Sequence, residues 1–231
     1  MTASKRRLII AIDGPSASGK STTARVVAER LGYIHIDTGA MYRALALKAK
    51  REAVNLGDAR ELDALLAGSS VDCVSRAGSF RVLLDGADVT REIREGDVSL
   101  KSSEIAALPR VRRWLVERQR RLAAEGGVVM EGRDICTVVL PDADLKIYLD
   151  ASSEERAKRR WLEENAAEEG KSREKVLRDL TARDHRDMTR AHSPLEMAAD
   201  AIKIDTTRLN VDEQVEEVLR EVRKVLATRT E

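Results

Sequence analysis

The chain has 231 residues and a formal net charge of +1, from 41 Lys+Arg against 40 Asp+Glu. Such a balance argues against a protein that coats a polyanion, and 3% aromatic residues leave too few rings for an RNA-binding sheet that stacks bases. With 42% hydrophobic and 35% charged residues, disorder is excluded and no membrane segment is visible, and the length suits one large domain or one core with insertions.

Lys5, Arg6 and Arg7 precede the first apolar run, 8–12, which Asp13 closes. That run is shorter than the roughly 7–15 apolar residues at the centre of an export signal, so a cytoplasmic location is expected. Residues 14–21 fit G-x-x-x-x-G-K-[ST], and a helical pattern follows over 21–31. A phosphate-binding loop needs this order of strand, glycine-rich turn and helix. The glycines let backbone N–H groups point inward, and the helix N-terminus adds positive potential. Gly14, Pro15, Ser16, Ala17, Ser18 and Gly19 would form the cradle, with Thr22 just beyond it. Lys20 would reach β- and γ-phosphates, and Ser21 would offer a hydroxyl to Mg2+. The loop alone names no reaction. N-K-x-D is absent, no Asp has Gly three residues on, and the only Asp-Glu pair, Asp212-Glu213, lies in a predicted surface helix. With no visible means of activating water, transfer to a bound acceptor is favoured over hydrolysis.

The next run, 33–36, ends at Asp37 and opens Asp37-Thr38-Gly39-Ala40-Met41-Tyr42-Arg43. Residues 65–104 break the pattern: β-like pieces at 71–74 and 80–84 and a turn at Asp85-Gly86 read as an insertion with its own small sheet. From Pro109 a helix carries Arg110, Arg112, Arg113, Arg118, Arg120 and Arg121. At about 100° per residue all but Arg112 share one broad arc, which reads as a solvated face. Arg112 falls beside the stripe of Val111, Leu115 and Leu122, where a charge needs a partner.

The runs 128–130 and 145–149 end at Glu131 and Asp150, and Glu131 opens Glu131-Gly132-Arg133-Asp134. The charged, helical stretch 152–187 follows. A capping box of Ser152 and Glu155 starts it, with Arg156, Arg159 and Arg160 on its first helix. Arg183-Asp184-His185-Arg186-Asp187-Met188-Thr189-Arg190 comes next, then a last run, 201–204, ending at Asp205. Over 211–227, Val215, Val218, Leu219, Val222, Val225 and Leu226 recur at spacings of three and four, an ordinary amphipathic helix with no assigned function. Short apolar runs alternating with helices predict a parallel sheet covered on both faces, with ligands beyond the carboxyl ends of its strands. The terminal acids stand at that edge. Arg–Asp pairs there suit an anionic, hydroxylated acceptor, since guanidinium forks bind phosphate and carboxylates accept from amines and hydroxyls. Cys73 and Cys136 read as two buried thiols, and His35, His185 and His192 lack metal-ligand spacing.

Together GPSASGKST, DTGAMYRA, SSEIAALPRVR, EGRD, PDADLKIYLDAS and RDHRDMTR resemble bacterial cytidylate kinases, in order and over nearly the whole chain. The resemblance implies an α/β, P-loop three-layer fold with a five-stranded parallel sheet, a small β-containing insertion and a helical lid. It implies a core of 1–64, 105–151 and 188–231, a monophosphate-binding insertion at 65–104 and a lid at 152–187. The implied reaction is direct, ATP-dependent phosphorylation of CMP and dCMP to CDP and dCDP, with Mg2+ as cofactor. By the same resemblance Lys20, Asp37, Arg133 and Arg190 are catalytic. Arg43 and Arg133 hold the acceptor phosphate, with Arg190 nearby, and Asp37 and Thr38 line the place where the two phosphates meet. Ser103, Arg112 and Asp134 read cytosine, Arg183 and Asp187 hold the ribose hydroxyls, and Tyr42 belongs to the same CMP site. Arg156 and Arg160 close on ATP. ATP and CMP or dCMP are then the only partners expected, with no nucleic acid, no membrane and a monomeric chain. The rival readings are a P-loop kinase for another small acceptor, such as UMP or shikimate, and an RNA-binding protein using the Arg-rich helix. Salt-sensitive RNA binding would mark the latter, and the near-zero charge counts against it.

Overall fold

All five apolar runs are strands in the computed structural model, which describes residues 7–76, 79–165 and 172–229. Lys5 and Arg6, residues 77–78 of the 65–104 insertion and residues 166–171 of the 152–187 stretch lie outside the described residues. In chain order the elements are β1 (Ile9–Asp13), α1 (Lys20–Leu31), β2 (Ile34–Asp37), α2 (Thr38–Arg51), α3 (Ala59–Ala67), β3 (Val71–Arg76), β4 (Ser79–Leu84), β5 (Ala87–Asp88), α4 (Gly96–Ile105), α5 (Pro109–Ala123), β6 (Val128–Gly132), β7 (Leu145–Asp150), α6 (Ser153–Asn165), α7 (Arg173–Thr189), β8 (Ile202–Asp205) and α8 (Val211–Thr228). The fold is α/β, and its larger sheet has five strands in the order β2-β6-β1-β7-β8. The chain divides into two compact units, Met1–Tyr33 with Glu125–Glu231, and Ile34–Ala124.

In the first unit β1 pairs in parallel with β6 and β7, and β7 with β8. Asp13 stands opposite Gly132 and Tyr148, and Asp150 opposite Asp205, so the carboxyl ends of these strands finish level. The strands read as continuous apolar runs because a parallel sheet is buried on both faces. Ile10, Ile12, Ile147 and Leu149 pack in one core with Ala24 and Val27 of α1 and Val215, Val218 and Val222 of α8. α8 starts at a reciprocal cap: the Glu213 N–H donates to Asn210 Oδ1 at 3.0 Å, and the Asn210 N–H to Glu213 Oε2 at 2.8 Å. Its expected stripe ends earlier than the sequence suggests, since Leu226 is 44% exposed.

The capping box expected at Ser152 is only half formed. The Glu155 N–H donates to Ser152 Oγ at 3.2 Å, but the Ser152 N–H donates to Thr207 Oγ1 at 2.9 Å. The Glu155 carboxylate instead accepts from Arg159 Nε at 3.1 Å. The two helices of this stretch, α6 and α7, also carry an apolar seam that its charge hides, with Ala157, Val176 and Leu180 buried.

The second unit holds the small antiparallel sheet, ordered β3-β4-β5. Asp85 (φ 51°) and Gly86 (φ 83°) make the expected tight turn between β4 and β5. Two positive φ values in succession favour this dipeptide in a hairpin. Asp85 secures the turn by accepting from the Ser70 N–H at 2.7 Å and from Lys48 Nζ at 2.6 Å. On α5, Arg112 is buried as its position on the arc predicts, while Arg110 and Arg113 are exposed. Arg118 departs from the solvated-face reading: its guanidinium carbon lies 3.3 Å from the Trp114 ring centroid.

Candidate active site

The first unit carries the phosphate cradle. Gly14 has φ +149°, and a Cβ there would stand 2.0 Å from the Leu149 carbonyl oxygen; at Gly19, with φ +94°, it would stand 2.4 Å from Gln214 Oε1. At Gly14 the fixed backbone oxygen excludes any side chain, and at Gly19 the positive φ favours glycine. Lys20 opens α1 and is 4% exposed. Its Nζ donates to the Pro15 carbonyl at 2.5 Å and to Ser18 Oγ at 3.3 Å. Burial first, then the positive charge of Arg133, lowers the Lys20 pKa to about 7. Ser21 and Thr22 are exposed in the first turn of α1. Thr23 is buried and donates to Gln214 Oε1 at 3.0 Å.

The loop is braced by residues that its motif does not contain. The Ser16 N–H donates to Asp184 Oδ1 at 3.1 Å, and Arg156 Nη1 donates to the Ser16 carbonyl at 3.1 Å. Arg156 and Asp184 form a buried ion pair. Thr206 Oγ1 donates to the Ser18 carbonyl at 2.9 Å and accepts from Arg159 Nη1 at 3.1 Å. Arg156, expected on ATP, is therefore engaged with the loop itself, while Arg160 pairs with Glu163 at 3.5 Å.

Beyond β6 the structure brings four of the expected acceptor residues together. Arg133 Nε donates to Asp187 Oδ2 at 3.0 Å. Arg190 lies 4.0 Å from Asp187 Oδ1 and 3.7 Å from Asp134 Oδ1. Burial would raise the Asp187 pKa, but Arg133, Arg183 and Arg190 together hold it below its ordinary value. Burial likewise opposes the Arg133 charge, and Asp187, Asp184 and Glu131 together outweigh it. Asp13 anchors this segment from the end of β1. Its carboxylate accepts from the Ile135 N–H at 3.0 Å and the Cys136 N–H at 2.7 Å, capping a π-type turn, Ile135–Val139. Burial nonetheless pushes the Asp13 pKa up to about 6.

In the second unit Asp37 closes β2 and caps α2, accepting from the Ala40 N–H at 2.9 Å and from Arg43 Nη2 at 3.0 Å. Its pKa is lowered: burial would raise it, but Arg43, His35 and the cap outweigh burial. Thr38 and Tyr42 are buried on α2. The Arg112 guanidinium lies 5.6 Å from the centroid of the Tyr42 ring and donates to the Ala106 carbonyl at 3.2 Å. The partner that Arg112 needs is thus supplied in part by the protein. Ser103 is half-buried on α4.

Among the described residues no group of three or more His, Cys, Asp or Glu could hold a metal ion. His35 packs on Phe80 with ring centroids 5.1 Å apart, His185 and His192 are exposed, and both cysteines are free and buried. No helix of the described residues is long and apolar enough to cross a membrane. Asp13, Asp184, Thr206 and Gln214 were not found by sequence reasoning. Asp13 had a signal as an acid closing a strand and Asp184 as a member of the block 183–190, while Thr206 and Gln214 had none.

The family model for cytidylate kinase matches residues 10–224. The chain is 53% identical over 215 residues to the cytidylate kinase of Desulfitobacterium hafniense (strain Y51), covering 93% of this chain and 92% of that one. It is 50% identical over 226 residues to that of Symbiobacterium thermophilum, covering 97% and 100%. It is 46% identical over 220 residues to that of Geobacter sp. (strain M21), covering 95% and 94%.

Proposed function

This chain belongs to the cytidylate kinase family, and we propose that it transfers the terminal phosphoryl group of ATP directly to CMP and dCMP, giving CDP and dCDP. One observation carries the reading. Arg133 and Asp134, after β6, meet Asp187 and Arg190, at the end of α7, in one partly buried network, which suits a bound acceptor and not the activation of water.

The nucleophile is an oxygen of the CMP phosphate. Its second pKa is near 6, so at neutral pH it is mostly dianionic and needs no general base. The protein's task is to bring two polyanions together and to neutralise the charge that grows on the transferring group. Gly14 to Thr22 are proposed to cradle the ATP phosphates, with Lys20 at the bridging oxygens and Arg160 closing from the lid, 152–187. Arg133 and Arg190, with Asp37 and Thr38, are proposed to order the acceptor phosphate, and Arg43 to bind it. Arg183 and Asp187 are assigned to the ribose. Asp134, with Ser103 and Arg112, is assigned to cytosine, because a carboxylate accepts from the N4 amine and meets an unmatched oxygen in uracil. Tyr42 supports Arg112, and the insertion, 65–104, is proposed to belong to the acceptor-binding part.

The residues fit a Mg2+ ion that arrives with the nucleotide. Ser21 exposes a hydroxyl in the first turn of α1, and Mg2+ characteristically keeps its waters and binds substrate phosphates with few protein ligands. Ser21 would hold it, and it would supply charge neutralisation at the β- and γ-phosphates. The proposed setting is cytoplasmic and the proposed state monomeric, with no nucleic-acid or membrane partner.

The test is coupled ADP release with CMP, dCMP, UMP and AMP in parallel. CMP and dCMP should give the highest kcat/KM. Equal ADP release with and without an acceptor would overturn the reading, and a preference for UMP or AMP would reassign the base site.

A further inference from the structure

The peptide between Pro15 and Ser16 is held at both ends. Its carbonyl accepts from Lys20 Nζ at 2.5 Å, and its N–H donates to Asp184 Oδ1 at 3.1 Å. A peptide unit is planar and rigid, so fixing its N–H fixes the direction of its carbonyl. The next carbonyl, that of Ser16, accepts from Arg156 Nη1 at 3.1 Å, and Arg156 returns to Asp184 through their ion pair. Arg156 Nε donates to the Ala151 carbonyl at 3.0 Å, which ties the ring to the start of α6. Asp184 and Arg156 are 5% and 8% exposed. Charge-assisted bonds between buried partners are the strong ones, and they leave little freedom of geometry.

We infer that Asp184 is a positioning residue for Lys20: it orients the Pro15–Ser16 peptide whose carbonyl holds the ammonium, and through Arg156 it fixes the adjoining carbonyl and couples α6 and α7 to the phosphate cradle. Asp184 reaches the reaction only through these groups. The inference rests on reading residues 14–22 as the ATP site. It does not depend on which nucleotide accepts the phosphoryl group.

The test uses Asp184→Ala, Asp184→Asn, Arg156→Met and the double variant Asp184→Asn/Arg156→Met in the full chain. Calorimetry reads Mg·ADP affinity, NMR reads the Ser16 amide, and initial rates read KM for ATP and for CMP. Asp184→Ala should weaken Mg·ADP by about tenfold, the scale of a lost hydrogen bond to a charged group, and move the Ser16 amide proton upfield. KM for ATP should rise in step while KM for CMP stays within about twofold; a merely structural loss of α7 would raise both. Asp184→Asn keeps an oxygen for the Ser16 N–H and loses the charge for Arg156. It should hold the Ser16 shift and weaken Mg·ADP by less, and the double variant should cost less than the sum of the two single changes, because both remove the same Asp184–Arg156 ion pair. If Asp184→Ala does not fold, the Asn and Met variants decide by that non-additivity. An unmoved Ser16 amide in Asp184→Ala, additive losses in the double variant, or equal rises in both KM values would overturn the inference. Mg·ADP affinity and the amide shift need no CMP. Failure of CMP turnover in the wild type would therefore sink the acceptor reading and leave this one standing.

Discussion

Lys20 is where burial and charge meet most sharply. Its ammonium is inside the protein, and burial with Arg133 nearby brings its pKa down to about 7. A lysine with a lowered pKa is disfavoured in its charged form. At pH 8 it is therefore mostly neutral, and ATP or ADP phosphates reaching the cradle would restore the charge. Mg·ADP binding at pH 8 should then take up close to one proton, read as the dependence of binding heat on buffer ionisation enthalpy. In Lys20→Met the uptake should vanish, and kcat should fall by roughly a hundredfold or more, the scale of losing one donor to developing charge. Uptake that persists in Lys20→Met would assign the proton to another group. Lys20 was legible in the sequence because the motif specifies a lysine after the second glycine. Asp184 was not, because one more acid in a stretch of alternating Arg and Asp gives no sign of which loop it will face.

At the scale of elements, α8 does more than cover the sheet. Sequence periodicity found its apolar stripe and gave the helix no further role, yet Gln214 in its first turns is 4% exposed and sits under α1. Gln214 Oε1 accepts from Thr23 Oγ1 at 3.0 Å, and its Nε2 donates to the Leu209 carbonyl at 2.9 Å. Gln214→Ala would leave the fully buried Thr23 hydroxyl unmatched, a loss of about 1–3 kcal/mol in urea unfolding. Replacing both partners by apolar residues, Thr23→Val with Gln214→Leu, should cost less than the sum of the single changes. A strictly additive result would mean that the bond adds nothing to the P-loop helix. The same contrast explains what else the sequence hid. Strands β1, β6 and β7 were legible because both faces are buried and the runs are unbroken. β5, Ala87–Asp88, is two residues long and has no period to detect. Gln214 and Thr206 serve the cradle from the far end of the chain, and a contact made by tertiary packing leaves no local pattern.

For the molecule as a whole, 41 basic and 40 acidic side chains nearly cancel, so the response to pH is set by the few groups that the fold perturbs. Asp37 and Asp187 are held below their ordinary value of 3.8: burial would raise each, but Arg43 with His35 and the helix cap together outweigh it at the first, and Arg133, Arg183 and Arg190 together at the second. Their contribution is present above that value and is lost only as pH falls through the lower folded one. Asp13 runs the other way. Burial pushes it up to about 6, against the two N–H bonds it accepts. The folded chain therefore binds this proton more tightly than the unfolded chain does. The cost of the ionised form is complete above pH about 6 and gone below about 4, and a shift of this size amounts to roughly 2–3 kcal/mol. The Lys20 cost is complete below pH about 7 and so is constant through that window. Acidification from pH 7 to pH 4.5 should thus raise the stability of the wild type relative to Asp13→Asn. The asparagine keeps one acceptor and turns an amide toward the other N–H, so the variant should be weaker throughout. That offset does not titrate, and the change in the difference between the two urea unfolding free energies isolates the proton. A difference that stays flat from pH 7 to pH 4.5 would mean that Asp13 titrates alike in both states, and would remove burial of its charge from the account of how β1 holds the turn at Ile135–Val139.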